Sequence, residues 1–220
     1  MTKLTKKDME KVIKECDNPM EEAVILLMFS SGLCPCEIVK LKISDFTNSI
    51  TEYLMQDIME EQIIGTWHIQ SSNTCLEYHV LNSPESSRAI FKYLNLRKPN
   101  SPISPLDPLF INAKGNPLSI EDITSILDKL NGKAGFYFRK LTAHNIKKYF
   151  NWVFESVYGK HDEVIQYISG NATNPHSAKE LKEVSHRLKY FYAEFLPALT
   201  LYYDEEPDEN IDLGILWGLK

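Results

Sequence analysis

The residues of this chain whose types and spacing suit chemistry are Cys34-Pro35-Cys36, His144 with Lys147 and Lys148, and Tyr190 with Tyr192. Zinc sites usually separate paired cysteines by about two to four residues. Cys34 and Cys36 are separated by one, and no further Cys/His pair completes a set. With Cys16 and Cys75 they read as small buried or half-buried thiols in a reducing compartment. Lys147 and Lys148, adjacent on an amphipathic helix, suit either a solvated face or contact with the phosphates of a polyanion. Tyr190 and Tyr192 stand in an aromatic run with Phe191 and Phe195 that suits core and rim packing. His144 is placed to cap or pack a helix, and His176 lies in a loop. No metal or cofactor is expected from these sets.

The elements that must position these side chains are mostly helical. Apolar positions 9, 12, 13 and 16 predict a first helix over 6–16. Asn18 as N-cap and Pro19 at the first position open a second over 20–31, apolar nearly all round and therefore central, which Gly32 ends. A short helix over 36–41 and a longer one over 50–64 follow. From Gly65 the period changes to two: 66–70 and 75–81 read as strands joined by the polar turn 71–74. Ser83-Pro84 caps a helix to about residue 96, and a proline-rich loop over 98–108 leads to Leu109-Phe110-Ile111. Helices are then expected over 119–130, 143–158, 162–168 and 177–203, the last kinked or broken at Pro197. The reading is mainly α with a small antiparallel β-hairpin.

The order of motifs along this frame resembles the catalytic domain of the tyrosine recombinases, the phage integrase family. Ser31-Gly32-Leu33-Cys34, then Glu37-Ile38, Leu41 and Asp45-Phe46, is similar to that family's first box, Thr-Gly-Leu-Arg-x-x-Glu. The hairpin with Asn73-Thr74 at its turn and Val80-Leu81-Asn82-Ser83-Pro84 after it stands where the family has a lysine-bearing turn and a val-pro-leu strand. Leu109-Phe110 and Gly115-Asn116-Pro117-Leu118-Ser119 match the next segment. Leu141-Thr142-Ala143-His144-Asn145-Ile146-Lys147 resembles the second box, Leu-Thr-x-His-x-Leu-Arg. Val164-Ile165-Gln166 through Gly170-Asn171 resembles the third, which ends Gly-His. Each piece is weak alone; the ordered set, spanning about residues 5–203, is what carries the resemblance.

The resemblance implies an α+β catalytic-domain fold over residues 1–203, without the family's usual N-terminal core-binding domain. It also implies a chemistry: a tyrosine hydroxyl attacks a DNA phosphodiester to give a 3′-phosphotyrosine. Two arginine forks clamp the developing charge, a lysine protonates the leaving oxygen, and histidines assist. In this chain the first-box arginine position holds Cys34, the hairpin-lysine position Asn73, the second-box arginine position Lys147 and the third-box histidine position Asn171. His144 alone keeps the family residue. If His186-Arg187 aligns with a family His-Tyr pair, Arg187 replaces the nucleophile. If the preceding loop is longer, Tyr190 or Tyr192 serves.

Losing one oxyanion donor costs on the order of 10²–10³ in rate, and losing both forks with the general acid leaves negligible turnover. The expectation is therefore a catalytically inactive integrase-like protein that binds double-stranded DNA, weakly, or regulates DNA recombination. Phosphate contacts are expected from Lys147, Lys148 and Arg187. The rival expectations are a protein-interaction module on the same fold and, behind it, an active recombinase with rearranged residues.

Composition agrees with a globular body: 220 residues, 43% apolar and 25% charged, exclude collagen, a disordered acidic protein and a disulfide mini-scaffold. No apolar run approaches the roughly 20 residues of a membrane span, and the charged N-terminus has no signal-peptide core. A cytoplasmic or nucleoid-associated protein is expected. The net charge of −6 is uneven: residues 204–220 hold six acids and one base, leaving 23 bases against 24 acids before them. That body is nearly neutral, where DNA-binding domains usually show a basic excess. Residues 204–220 read as an acidic linker ending in an apolar tail over 213–219, suited to docking on its own domain or in a second copy.

Overall fold

Helix α2, Pro19–Ser31, organises the chain because it has no polar side to show to water. Residues 23–29 are each at most 1% exposed. The Asn18 side chain accepts from the Glu21 amide at its start, and Gly32, at φ +67°, ends it by donating its N–H to the Met28 carbonyl. The computed structural model describes residues 4–54, 63–70, 77–97, 103–136, 140–158, 163–170 and 185–201.

Helix α1, Lys6–Lys14, is capped by a reciprocal Thr5–Asp8 box and buries Met9, Val12 and Ile13. Short α3, Pro35–Ile38, follows the Gly32 turn. Helix α4 runs Ile43–Leu54, where the sequence reading placed a helix over 50–64. It starts earlier because Asp45 accepts from the Lys42 amide at its beginning, and Ile43, Phe46 and Ile50 form an apolar stripe that the tertiary core covers. Residues 55–62 lie outside the described set, and 63–64 are not helical.

Strands β1, Gly65–Gln70, and β2, Glu77–Asn82, pair antiparallel with Trp67 opposite Val80 and His68 opposite His79. Trp67, Ile69, Tyr78 and Val80 are buried, while His68, Gln70 and Glu77 face solvent. The expected turn at 71–74, with Asn73, falls outside the described residues. Helix α5, Pro84–Leu96, begins with the Ser83 hydroxyl accepting from the Ser86 amide. Helix α6, Ile120–Lys133, begins with a Ser119–Asp122 box.

Helices α7, Ala143–Tyr158, and α8, Glu163–Ile168, follow, then α9, Ser185–Ala193, and α10, Leu196–Leu199. Within residues 185–201, the described part of the long helix expected over 177–203, there are two short helices divided by a turn at Glu194-Phe195, with Pro197 in the first turn of α10. Residues 177–184 are outside the described set. Helices α5 and α7 both pack on α2, α4 lies against β1 and α8 against β2. Among the described residues no helix is long and apolar enough to cross a membrane.

Candidate functional site

The turn from Gly32 to Cys34 is where the elements carrying the box-like motifs meet. Gly32 has no room for a side chain: a Cβ there would lie 2.5 Å from Cδ1 of Phe150 on α7. Lys147 precedes Phe150 by three residues and His144 precedes Lys147 by three, so all three share one stripe of α7. Phe150 is buried, Lys147 half-buried and His144 exposed, so the stripe rises from the core to solvent toward the N-terminus of α7. Lys148, one residue round the helix, is exposed. Neither lysine has an ion-pair partner among the described residues, whereas Lys140 pairs with Asp128 at 2.9 Å.

The start of α7 is pinned by a residue that sequence reasoning missed. Asn131 of α6 is buried, donates from Nδ2 to the Leu141 carbonyl at 2.8 Å and accepts the Leu141 N–H on Oδ1 at 2.5 Å. An asparagine in the last turn of a helix carries no sequence signal for such a role, because its partner comes from the loop ten residues on.

Next to the turn, Glu37 is buried and doubly bonded. Its Oε2 accepts the Cys34 N–H at 2.9 Å and its Oε1 accepts the Tyr78 hydroxyl at 3.0 Å. Burial first, and then the Glu37 carboxylate, pushes the Tyr78 hydroxyl well above its ordinary range. The Tyr78 ring in turn fills the space beside Gly170, at φ +70°, where a Cβ would meet Cζ at 2.6 Å. One buried carboxylate therefore ties the Cys34 turn, β2 and the end of α8 together. Beside it, Tyr167 of α8 and Nδ1 of His79 are 2.6 Å apart, and burial raises the Tyr167 hydroxyl to about 12.

Cys34 and Cys36 are not thiols. They form a disulfide with Cα atoms 5.4 Å apart, which corrects the reading taken from their spacing. The start of α3 at Pro35 sets the two backbones within disulfide reach. Cys16 is a free thiol, half-buried.

The two candidate tyrosines part company. Tyr190 is 78% exposed, while Tyr192 is fully buried with its hydroxyl donating to the Ser30 carbonyl at 2.5 Å. Residues two apart on a helix face different ways, so α9 cannot present both to one site. Burial above all holds the Tyr192 hydroxyl well above its ordinary range, with Glu85 adding to the rise. The structure thus sets Phe150 of α7 against Gly32, ties the Cys34 turn to β2 through Glu37 and Tyr78, and holds the Tyr192 hydroxyl on the Ser30 carbonyl just before that turn. Asn73 and Asn171 lie outside the described residues, and of Arg187 only the backbone, in α9, is described. Among the described residues no three His, Cys, Asp or Glu side chains group to hold a metal.

This arrangement of helices around one two-stranded antiparallel sheet is a tyrosine-recombinase-like catalytic-domain fold. The chain is similar to the crystal structure of XerA recombinase, with a TM-score of 0.58 and 20% sequence identity over 85% of this chain. The match covers 65% of that chain, so the present sequence spans just under two thirds of its length. No family model matches the sequence, and no curated protein does.

Proposed function

We propose that this chain is a tyrosine-recombinase-like protein that binds double-stranded DNA, or regulates its recombination, without cleaving it. The observation that carries the reading is the Cys34 turn. Where the resembled family has a guanidinium to clamp a phosphate, this chain has a neutral sulfur bonded to Cys36. Lys147 keeps a positive charge at the second such position and lacks the planar fork that grips two oxygens. Tyr192 supports the same reading, because a buried hydroxyl committed to a main-chain carbonyl is not an available nucleophile.

DNA contact in this proposal runs through the N-terminal half of α7, where His144 and Lys148 are exposed and Lys147 is half-buried, with the two lysines as point charges on phosphates and Arg187 adding a third cation. A near-neutral body makes that grip weak and strongly salt-dependent. Residues 1–203 form the domain and 204–220 a tail whose apolar end, 213–219, supports self-association; deleting residues 205–220 is then expected to lower the oligomer state in solution, and an unchanged oligomer state removes docking in a second copy.

Mobility shift on duplex DNA at low and moderate salt is the test, run beside a suicide substrate that traps tyrosyl–DNA adducts. A shift at low salt is expected, with no adduct. Lys147→Ala/Lys148→Ala is expected to weaken binding alike on all sequences and to reduce the salt slope by about 2. An adduct abolished by Tyr190→Phe or Tyr192→Phe overturns the inactive reading. No shift at any salt overturns DNA binding and favours a protein-interaction module, for which exposed Trp152, Val157 and Tyr190 supply the apolar surface.

A further inference from the structure

We propose that Cys34-Pro35-Cys36 is a redox-active site that exchanges its disulfide with small-molecule thiols while the protein stays folded. The sulfur chemistry of this turn is independent of DNA binding.

Access comes first. Both cysteines are half-buried rather than sealed in the core, the condition for exchange with a small thiolate while the chain stays folded. The bond also does little for the fold. It closes a loop of three residues, and the stabilisation a cross-link draws from loop closure is least for the shortest loops. The turn is already held by other means: Pro35 fixes its own φ, Glu37 binds the Cys34 amide, and Gly32 is seated on Phe150. Those same restraints persist once the bond is open. The sulfurs therefore remain neighbours and re-form the bond without a conformational search. A disulfide that staples distant segments has none of these properties.

The exchange balances as follows. A small thiolate attacks one sulfur of the pair, the Cys34–Cys36 bond breaks, and the other cysteine leaves as a thiolate that takes up a proton. A second thiolate attacks the external sulfur of the mixed disulfide, releasing the small-molecule disulfide and the second cysteine thiolate, which is also protonated. The protein disulfide gains two electrons and two protons, and two small thiols are oxidised to one disulfide.

The other described cysteine does not compete. Burial, reinforced by Glu21 and Glu22, raises the Cys16 thiol to about 12, which leaves it almost entirely protonated at neutral pH. The Cys34–Cys36 pair is thus a redox centre set in the turn after α2, next to the Glu37 carboxylate that ties this turn to β2.

The test uses the full chain equilibrated in buffers of graded reduced-to-oxidised glutathione ratio, quenched in acid, labelled with a maleimide and mapped by mass spectrometry. Cys34 and Cys36 are expected to gain two labels together as the buffer becomes reducing and to lose them when oxidised glutathione is restored. Circular dichroism and the melting temperature should stay unchanged. Cys36→Ser, incubated with oxidised glutathione, is expected to trap a mixed disulfide on Cys34 that dithiothreitol removes. The proposal is overturned if both residues label fully in oxidised glutathione, for then no bond forms. It is equally overturned if the bond resists high reduced glutathione until denaturant is added, for then it is purely structural. Should Cys36→Ser not fold, the wild-type titration decides alone.

Discussion

Replacing Tyr192 by phenylalanine removes one oxygen from the core and tests the assignment of this tyrosine as a structural rather than a reacting group. The last carbonyls of α2 have no intrahelical donors. The amide that would reach Ser30, that of Cys34, is turned away to Glu37. Tyr192 supplies the missing donor from 162 residues further along the chain, at a point where both residues are fully buried. Phenylalanine keeps the ring and its packing against Phe154 and leaves that carbonyl without this donor in an apolar setting. A buried group left unsatisfied costs about 1–3 kcal/mol, so a loss near the middle of that range is expected. For a chain of this size that is a fall of roughly 4–8 °C in Tm. Urea unfolding should show a lower midpoint with an unchanged slope, since the surface exposed on unfolding is the same. Tyr190→Phe is the control. At 78% exposure its hydroxyl is in water, and its stability should stay within about 0.5 kcal/mol of the parent. Equal stability of Tyr192→Phe and the parent would refute the reasoning, and so would a covalent DNA adduct that only this substitution abolishes.

Gly32→Ala combines a left-handed backbone penalty of about 1 kcal/mol with overpacking against Phe150 of about 1–3 kcal/mol. Thermal unfolding should register most of that sum, and a neutral result would mean that α7 does not press on this turn. Asp122 has its carboxyl held below its ordinary value of 3.8 by the Ser119 amide first and the Ser119 hydroxyl next. A lowered folded value contributes stability above about pH 4 that is lost as pH falls through it, so Asp122→Asn should flatten the acid limb of a stability–pH curve. An acid limb identical to the parent's would remove this capping pair from the account. Asp17, lowered by Lys133 and then Lys129, should act in the same direction over the same acid window. With its thiol raised to about 12, Cys16 should be alkylated by iodoacetamide at pH 8 at least about tenfold more slowly than an ordinary exposed cysteine in the unfolded chain, the smaller thiolate fraction outweighing its greater nucleophilicity. Labelling at the unfolded rate would show that the helix end carrying Cys16 opens freely.

Much of the frame was legible because its signals are local. Asn18-Pro19 and Gly32 bound α2, and apolar residues at 146, 149, 150, 153 and 154 mark α7 over the residues observed. Alternation across 66–70 marked β1. Helix α4 was misplaced because its stripe of Ile43, Phe46 and Ile50 follows a bend and makes sense only against the rest of the core. The site was legible as a set of positions along the chain, and its chemistry was not. Residue types revealed that Cys34 and Lys147 stand where the resembled family has arginines. They did not reveal that Cys34 is bonded to Cys36, that Asn131 anchors the start of α7, or that Tyr192 is sealed in while Tyr190 is exposed. By itself the sequence determined where most of the helices and the two strands run, because backbone conformation answers largely to near neighbours and to the period of apolar residues. Only the tertiary structure decided which hydroxyl is buried and which carboxylate joins three elements. Those outcomes depend on groups tens to hundreds of residues apart, which no periodicity encodes.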